Sequence, residues 1–133
     1  MDIASLLSGA VGPEFSGLLQ KGRFISKNTI EVGDIVEFIY ETKRKYMFVV
    51  ASNYQDKVHG IDLNHIDISD FTTIITEYVN LGMAGGAYTN TRVDSEALYE
   101  RVKPIVSRTR SYRTYKSGLI TRTRIIKYVG LIG

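Results

Sequence analysis

The 133-residue chain has no cysteine, no tryptophan and only two prolines, and no apolar run approaches the roughly 18 residues that a membrane-spanning helix needs. Without cysteine, disulfides, thiolate metal ligands and a thiol nucleophile are excluded. The N-terminal residues also lack the basic region that opens a secretory signal peptide. We therefore expect a soluble, unprocessed protein without a membrane segment, made in a reducing compartment.

Acidic residues are missing from the last part of the chain. Residues 1–100 contain eight Lys or Arg and fourteen Asp or Glu, a net charge of −6. Residues 101–133 contain nine Lys or Arg and no Asp or Glu, a net charge of +9. Such opposition favours an anionic partner for the basic part, or association between unlike surfaces of neighbouring subunits.

Apolar patterns predict an antiparallel meander in the middle of the chain, with alternation in its first and third strands and a continuous apolar run in its second. Its strands are expected at residues 32–41, 46–52 and 58–66, with polar loops at 42–45 and 53–57. Residues 119–128 return to the same alternation and are rich in Ile and Thr. This last segment is expected to close the sheet by pairing with the meander.

Two helices are predicted between the meander and the closing strand. Apolar residues recur at helical spacing near residues 70–81, and Ser69 or Asp70 is expected to cap the helix. A second helix is predicted near 94–103, ending at Pro104.

Together these elements predict an α+β fold. Residues 32–133 are expected to form a small SH3-like antiparallel β-barrel with the two helices inserted. Residues 1–31 contain short apolar clusters separated by glycines, which favours an N-terminal arm that docks on its own domain or on a neighbour.

The stretch KVHGIDLNH, residues 57–65, combines two histidines with nearby carboxylates. In an extended strand, His59 and His65 would lie about 20 Å apart, too far to share a metal ion. Asp62 and Asp67 complete no common ligand spacing. We therefore predict no metal site here.

The same stretch is predicted to have a structural role. Gly60 allows a bulge or a close backbone approach, and Ile61 and Leu63 are expected to fill the core. Elsewhere, no nucleophile motif accompanies the histidines, and the glycines at 82–86 are not followed by the Gly-Lys-Ser/Thr of a phosphate loop. A protein without enzymatic activity, and without a cofactor, is predicted.

The basic C-terminal segment carries the strongest functional signal. Forked guanidinium groups bind phosphates well, and interleaved tyrosines can add stacking. Alternation places Arg122 and Arg124 on one strand face. Three uses remain open: contact with nucleic acid, docking on another protein, and ion pairs with the acidic part of the same chain. The predicted binding residues are Arg108, Arg110, Tyr112, Arg113, Tyr115, Lys116, Arg122, Arg124 and Lys127.

Three segments, GDIVEFIYETKRKYMFVVASNY, HGIDLNHI and YRTYKSGLITR, together resemble a family of small tailed-bacteriophage proteins of the T4-like myovirus and cyanophage kind. The resemblance covers residues 32–128. Asp62 stands where that family usually has Asn, and Ile66 where it has Tyr or Leu. Members are described as virion structural proteins, some of them as DNA-end or head-completion proteins.

The resemblance implies a non-enzymatic virion component of the neck, tail or baseplate, or one associated with the DNA end. Such a protein would be made in the host cytoplasm and docked on other virion proteins through its apolar N-terminal arm and basic C-terminal segment. DNA contact is then expected for some members. A nucleic-acid-binding module that uses the basic C-terminal segment is the alternative.

Overall fold

A computed structural model describes residues 19–54, 56–84 and 93–128. The strands are β1 (Leu19–Phe24), β2 (Ile35–Tyr40), β3 (Lys43–Tyr54), β4 (Lys57–Asp62), β5 (Tyr112–Lys116) and β6 (Ile120–Tyr128). The helices are α1 (Ile68–Ala84) and α2 (Ser95–Thr109), and both lie between β4 and β5 in the chain. The predicted α+β class is confirmed.

All six strands belong to one antiparallel sheet, in the order β1-β6-β2-β3-β4-β5. The adjacency of β2, β3 and β4 confirms the predicted meander, and the pairing of β6 with β2 confirms the predicted return of the last strand. Within the described residues no ladder joins β1 to β5, so the sheet is not closed. Strands β1 and β5 are its two edges.

Tight turns make β3 longer than predicted, whereas β2 and β4 are shorter than their predicted ranges of 32–41 and 58–66. Glu41 and Thr42 both have positive φ, 50° and 69°, as the two central residues of a type I′ hairpin turn do. Strand β3 therefore begins at Lys43, inside the predicted loop at 42–45. The second predicted loop shrinks in the same way, because β3 runs on to Tyr54 and β4 starts three residues later.

The sheet curls and buries an apolar cluster on each face. One face is covered by the two helices, which pack on a cluster that includes the fully buried Phe48. On the other face, the Tyr115 ring lies 5.2 Å from Phe38 and 4.8 Å from Tyr40, centroid to centroid. Because β3 and β4 separate β5 from β2 in the sheet, this contact requires strong curvature.

Gly60 supplies the close approach predicted for it. A Cβ atom at this position would lie 2.3 Å from the carbonyl oxygen of Phe48, and β3 carries one extra residue, Val50, opposite this point. Ile61 and Leu63 are completely buried, as predicted. Gly60 therefore lets β4 lie directly against the bulged part of β3.

Helix α1 begins earlier than predicted, because Asp67 caps it. The Asp67 carboxylate accepts a hydrogen bond from the backbone N–H of Asp70 (2.8 Å), and its carbonyl accepts one from Phe71 (3.0 Å). The predicted caps, Ser69 and Asp70, lie inside the first turn.

The predicted end of the second helix at Pro104 is wrong, since α2 continues to Thr109. Pro104 is exposed, whereas Val106 beyond it is buried against the sheet. Burial of the last turn offsets the hydrogen bond that proline removes. At the other end, the Asp94 side chain accepts from the N–H of Ala97 (3.0 Å) and caps the helix.

The predicted division at residue 31 does not separate an arm from the domain. Strand β1 pairs with β6, and Ile30 is buried in the cluster on the sheet face opposite the helices. Residues 1–18 of the predicted arm lie outside the described residues. Edge strands can be short, polar and glycine-containing. Such a segment lacks a clear strand pattern, so the sequence predicted an arm.

Candidate functional site

The first basic stretch (residues 108–116) begins with ion pairs between the two helices. The guanidinium of Arg108 pairs with the carboxylate of Asp70 on α1. Two turns of α2 earlier, Arg101 pairs with Glu77 at 3.4 Å. These contacts support the reading in which basic residues pair with the acidic part of the same chain.

The rest of the first basic stretch is tied to the end of α2 and to β4. Arg110 closes the helix in the left-handed conformation, with φ of 51°. The Arg113 guanidinium donates to the carbonyl oxygens of Arg110 (2.7 Å) and Tyr112 (3.0 Å). Lys116 is exposed and lies directly opposite Lys57 across the β4–β5 pair. Arg108, Arg110 and Lys116 are exposed, whereas Arg113 is half-buried.

The two tyrosines of this stretch pack within the domain. Tyr115 is 8% exposed and contacts the Phe38 ring. Tyr112 packs edge-on against Tyr99 (5.1 Å) and stacks on His59 (6.4 Å). Burial raises the pKa of both phenols. Both rings therefore make packing contacts within the domain, and Tyr112 stays half-buried.

The second basic stretch (residues 122–127) begins at a bulge in β6. The β2–β6 register shifts beside Glu37, and Arg122 has φ of 52°. The bulge interrupts the alternation on which the prediction that Arg122 and Arg124 share a face depends. A non-glycine residue in this conformation costs about 1–2 kcal/mol. Lys127 is exposed further along the strand.

Arg124 belongs to a charged row that crosses the sheet surface. Its guanidinium lies 4.2 Å from the centroid of the Phe24 ring on β1, and it faces Glu37 in the β2–β6 register. Glu37 is 7% exposed and pairs with Lys21 at 3.3 Å. Burial, followed by the charge of Glu37, raises the pKa of Tyr46. The row fixes Arg124 between a carboxylate and an aromatic ring.

Beside the bulge lies a groove of about 340 Å³, here called the bulge groove, lined by Phe24, Ile25, Lys27 and residues 120–123. Phe24 is 61% exposed; with Leu119, at 49%, it forms the pair of large exposed apolar side chains in the described part of the chain. Sequence reasoning missed Phe24 and Lys27 because both fell within the predicted arm.

A second groove, of about 480 Å³, lies between the sheet and the start of α2, and its lining includes His59, Tyr112, Glu96 and Glu100. The His59 Nδ1 lies 2.9 Å from the hydroxyl of Thr114. Imidazole beside hydroxyl is the pairing that general-base activation uses. His59 and Thr114 are also directly opposite residues of β4 and β5, so the strand register accounts for the contact.

The two histidines do not lie on one strand, contrary to prediction. Strand β4 ends at Asp62, and His65 belongs to the following 3-10 turn, Leu63–His65. There its Nε2 lies 3.6 Å from an Asp62 carboxylate oxygen, while the other oxygen accepts from the N–H of Asn64 (2.9 Å). In the described ranges, no group of three or more His, Asp or Glu residues is arranged to hold a metal ion.

The described helices are neither long nor apolar enough to cross a membrane. Comparisons with protein-family models, with curated proteins and with solved structures give no match to this chain.

Proposed function

We propose that this protein is a non-enzymatic structural component of a tailed-phage virion, where it docks on neighbouring subunits in the neck, tail or baseplate or near the DNA end. The observation that carries the proposal is Phe24, which is 61% exposed on β1, an edge strand of the sheet formed by the described residues, and is flanked by the second basic stretch. Exposed apolar residues beside an open sheet edge are typical of surfaces that another chain covers. The resemblance in sequence supplies the class of assembly.

We infer further that the curled sheet is an SH3-like barrel left open between β1 and β5. Support comes from the connection Ser117–Leu119, which joins β5 to β6 through three residues although three strands separate them in the sheet. The rings of Tyr115 and Phe38 meet inside this curve. Such a compact unit with open edges suits one subunit of a ring.

The test is mass spectrometry of purified particles of the phage that carries the gene. We expect the chain in the particles, at a copy number matching the symmetry of one ring. Complementation with Phe24→Ala should lower its incorporation, whereas Lys103→Ala, at an exposed position on α2, should not. Particles that lack the wild-type chain would overturn the proposal.

A nucleic-acid-binding module is the second candidate function. The observation that favours it is the lining of the bulge groove, which includes Lys27 and Arg122 and contains no carboxylate. An oligonucleotide-binding measurement separates the two functions, since it needs no other virion protein.

A further inference from the structure

We propose that the bulge groove binds single-stranded nucleic acid, with a base against the Phe24 ring and phosphates at Lys27 and Arg122. This inference deepens the proposed function by naming the chemistry of one partner. It depends on the proposed function only in assuming that the second basic stretch contacts an anionic partner.

The charge of the groove is of one sign. Lys27 and Arg122 line it, and Arg124 lies at its border on the Phe24 ring. The carboxylate of the neighbouring strand, Glu37, is buried and paired with Lys21. Lys27 and Arg122 have no carboxylate among the residues that line the groove with them, and a phosphodiester can supply the missing negative charge.

The aromatic ring of the groove is both exposed and held in place. The Arg124 guanidinium packs 4.2 Å from the Phe24 ring centroid, and the backbone N–H of Ile25 donates to the carbonyl of Thr123 (2.9 Å), which ties the end of β1 to β6. A fixed ring beside cations is the arrangement by which single-strand binders stack bases while they neutralise the backbone.

The bulge sets the position of the Arg122 cation. Its backbone adopts φ of 52°, a conformation for which glycine or asparagine is the usual choice. An arginine here gives the groove a guanidinium at the point where β6 leaves regular alternation.

The size of the groove favours a nucleotide over an extended protein surface. Its volume of about 340 Å³ falls at the lower end of the range of small-molecule pockets, about 300–1,000 Å³. An acidic peptide would satisfy the cations without needing an exposed ring among them. A single strand uses both the ring and the cations.

Fluorescence anisotropy of the full chain with a dye-labelled oligothymidylate of about twelve nucleotides tests the inference. Two substitutions give a matched pair: Arg122→Gly and Arg110→Gly each remove one cation from a residue with φ near +50°. Only Arg122 lines the groove. We expect Arg122→Gly to weaken binding about fivefold or more and to make the salt slope shallower by about 0.7, while Arg110→Gly leaves both unchanged.

Substitutions of Phe24 provide a second, independent test. Phe24→Ala should weaken binding about tenfold, and Phe24→Tyr should keep most of it, because a phenol ring stacks as well. Thermal unfolding checks the fold: Arg122→Gly should melt at or above the wild-type temperature, since glycine relieves the positive φ.

Three results would overturn the inference. They are absence of oligonucleotide binding at low salt, equal losses for Arg122→Gly and Arg110→Gly, and a groove that binds polyglutamate in preference to oligothymidylate. Particle incorporation is a separate readout. A chain found in particles but unable to bind the oligonucleotide would contradict the groove assignment alone, whereas specific oligonucleotide binding by a chain absent from particles would contradict the virion role alone.

Discussion

The two basic stretches have similar composition but different surroundings. The first, residues 108–116, runs from the last two residues of α2 through β5. It contacts carboxylates and aromatic rings of its own domain, as in the Arg108–Asp70 pair and the burial of Tyr115. The second, residues 122–127, lies next to the edge strand β1, where Arg124 packs on the exposed ring of Phe24 and Arg122 lines the same groove. Whether a cation is free for a partner depends on which element packs beside it.

The strongest test of this contrast is a substitution in β4, the strand that pairs with the first basic stretch. Gly60 pairs with Arg113 on β5, and a valine at this position would place Cβ 2.3 Å from the Phe48 carbonyl oxygen. We expect Gly60→Val to lower the free energy of unfolding by about 3 kcal/mol or more, or to prevent soluble expression. Urea denaturation measures the change.

Gly118→Ala is the matched control for this prediction. Its added methyl group meets no atom within 4 Å, so the free energy of unfolding should change by no more than about 0.5 kcal/mol. A soluble Gly60→Val protein as stable as the Gly118→Ala protein would contradict the packing described for β4.

Aromatic truncation compares the two stretches directly. Tyr115→Ala should cost about 3 kcal/mol or more, because it opens a cavity beside Phe38 and Tyr40. Phe24→Ala should cost less than about 1 kcal/mol, since most of that ring is already in water. Urea denaturation of both variants checks the difference, and equal costs would show that the two rings are buried alike.

Sequence reasoning found the elements better than the site. Alternation identified β2, β4 and β6, and helical spacing identified α1, because burial of one face leaves a periodic pattern. A continuous apolar run identified β3, which is buried on both faces. The bulge at Arg122 leaves no such pattern: a positive φ at an arginine is set by the register with β2. The sequence did not identify Phe24 as a site residue, because an edge strand with few apolar residues has the pattern of an arm.

Raising the pH should lower the free energy of unfolding because of the buried tyrosines of the first basic stretch. Burial raises the pKa of Tyr112 and Tyr115 above the ordinary value of 10.0, so the folded state retains protons that the unfolded state loses. Their contribution to stability is complete below pH 10 and is lost as the pH rises through the folded-state values.

Urea denaturation between pH 8 and pH 11 should therefore give a free energy of unfolding that is steady at first and then falls. Tyr112→Phe should make the fall shallower, whereas Phe24→Tyr, which adds a phenol at an exposed position of β1, should not change it. Identical slopes for Tyr112→Phe and wild type would mean that the phenol is as hydrated folded as unfolded.

The smallest expected effect concerns the ion pair between Arg108 and Asp70. Its side chain is 62% exposed and that of Asp70 15%, so a double-mutant cycle of Arg108→Ala and Asp70→Ala should give a coupling energy of about 0.5 kcal/mol. In 1 M NaCl, where the Debye length is about 3 Å, the coupling should shrink further. A coupling near zero at low salt would leave Arg108 available to a partner, and the first basic stretch would then resemble the second more closely than the ion pair implies.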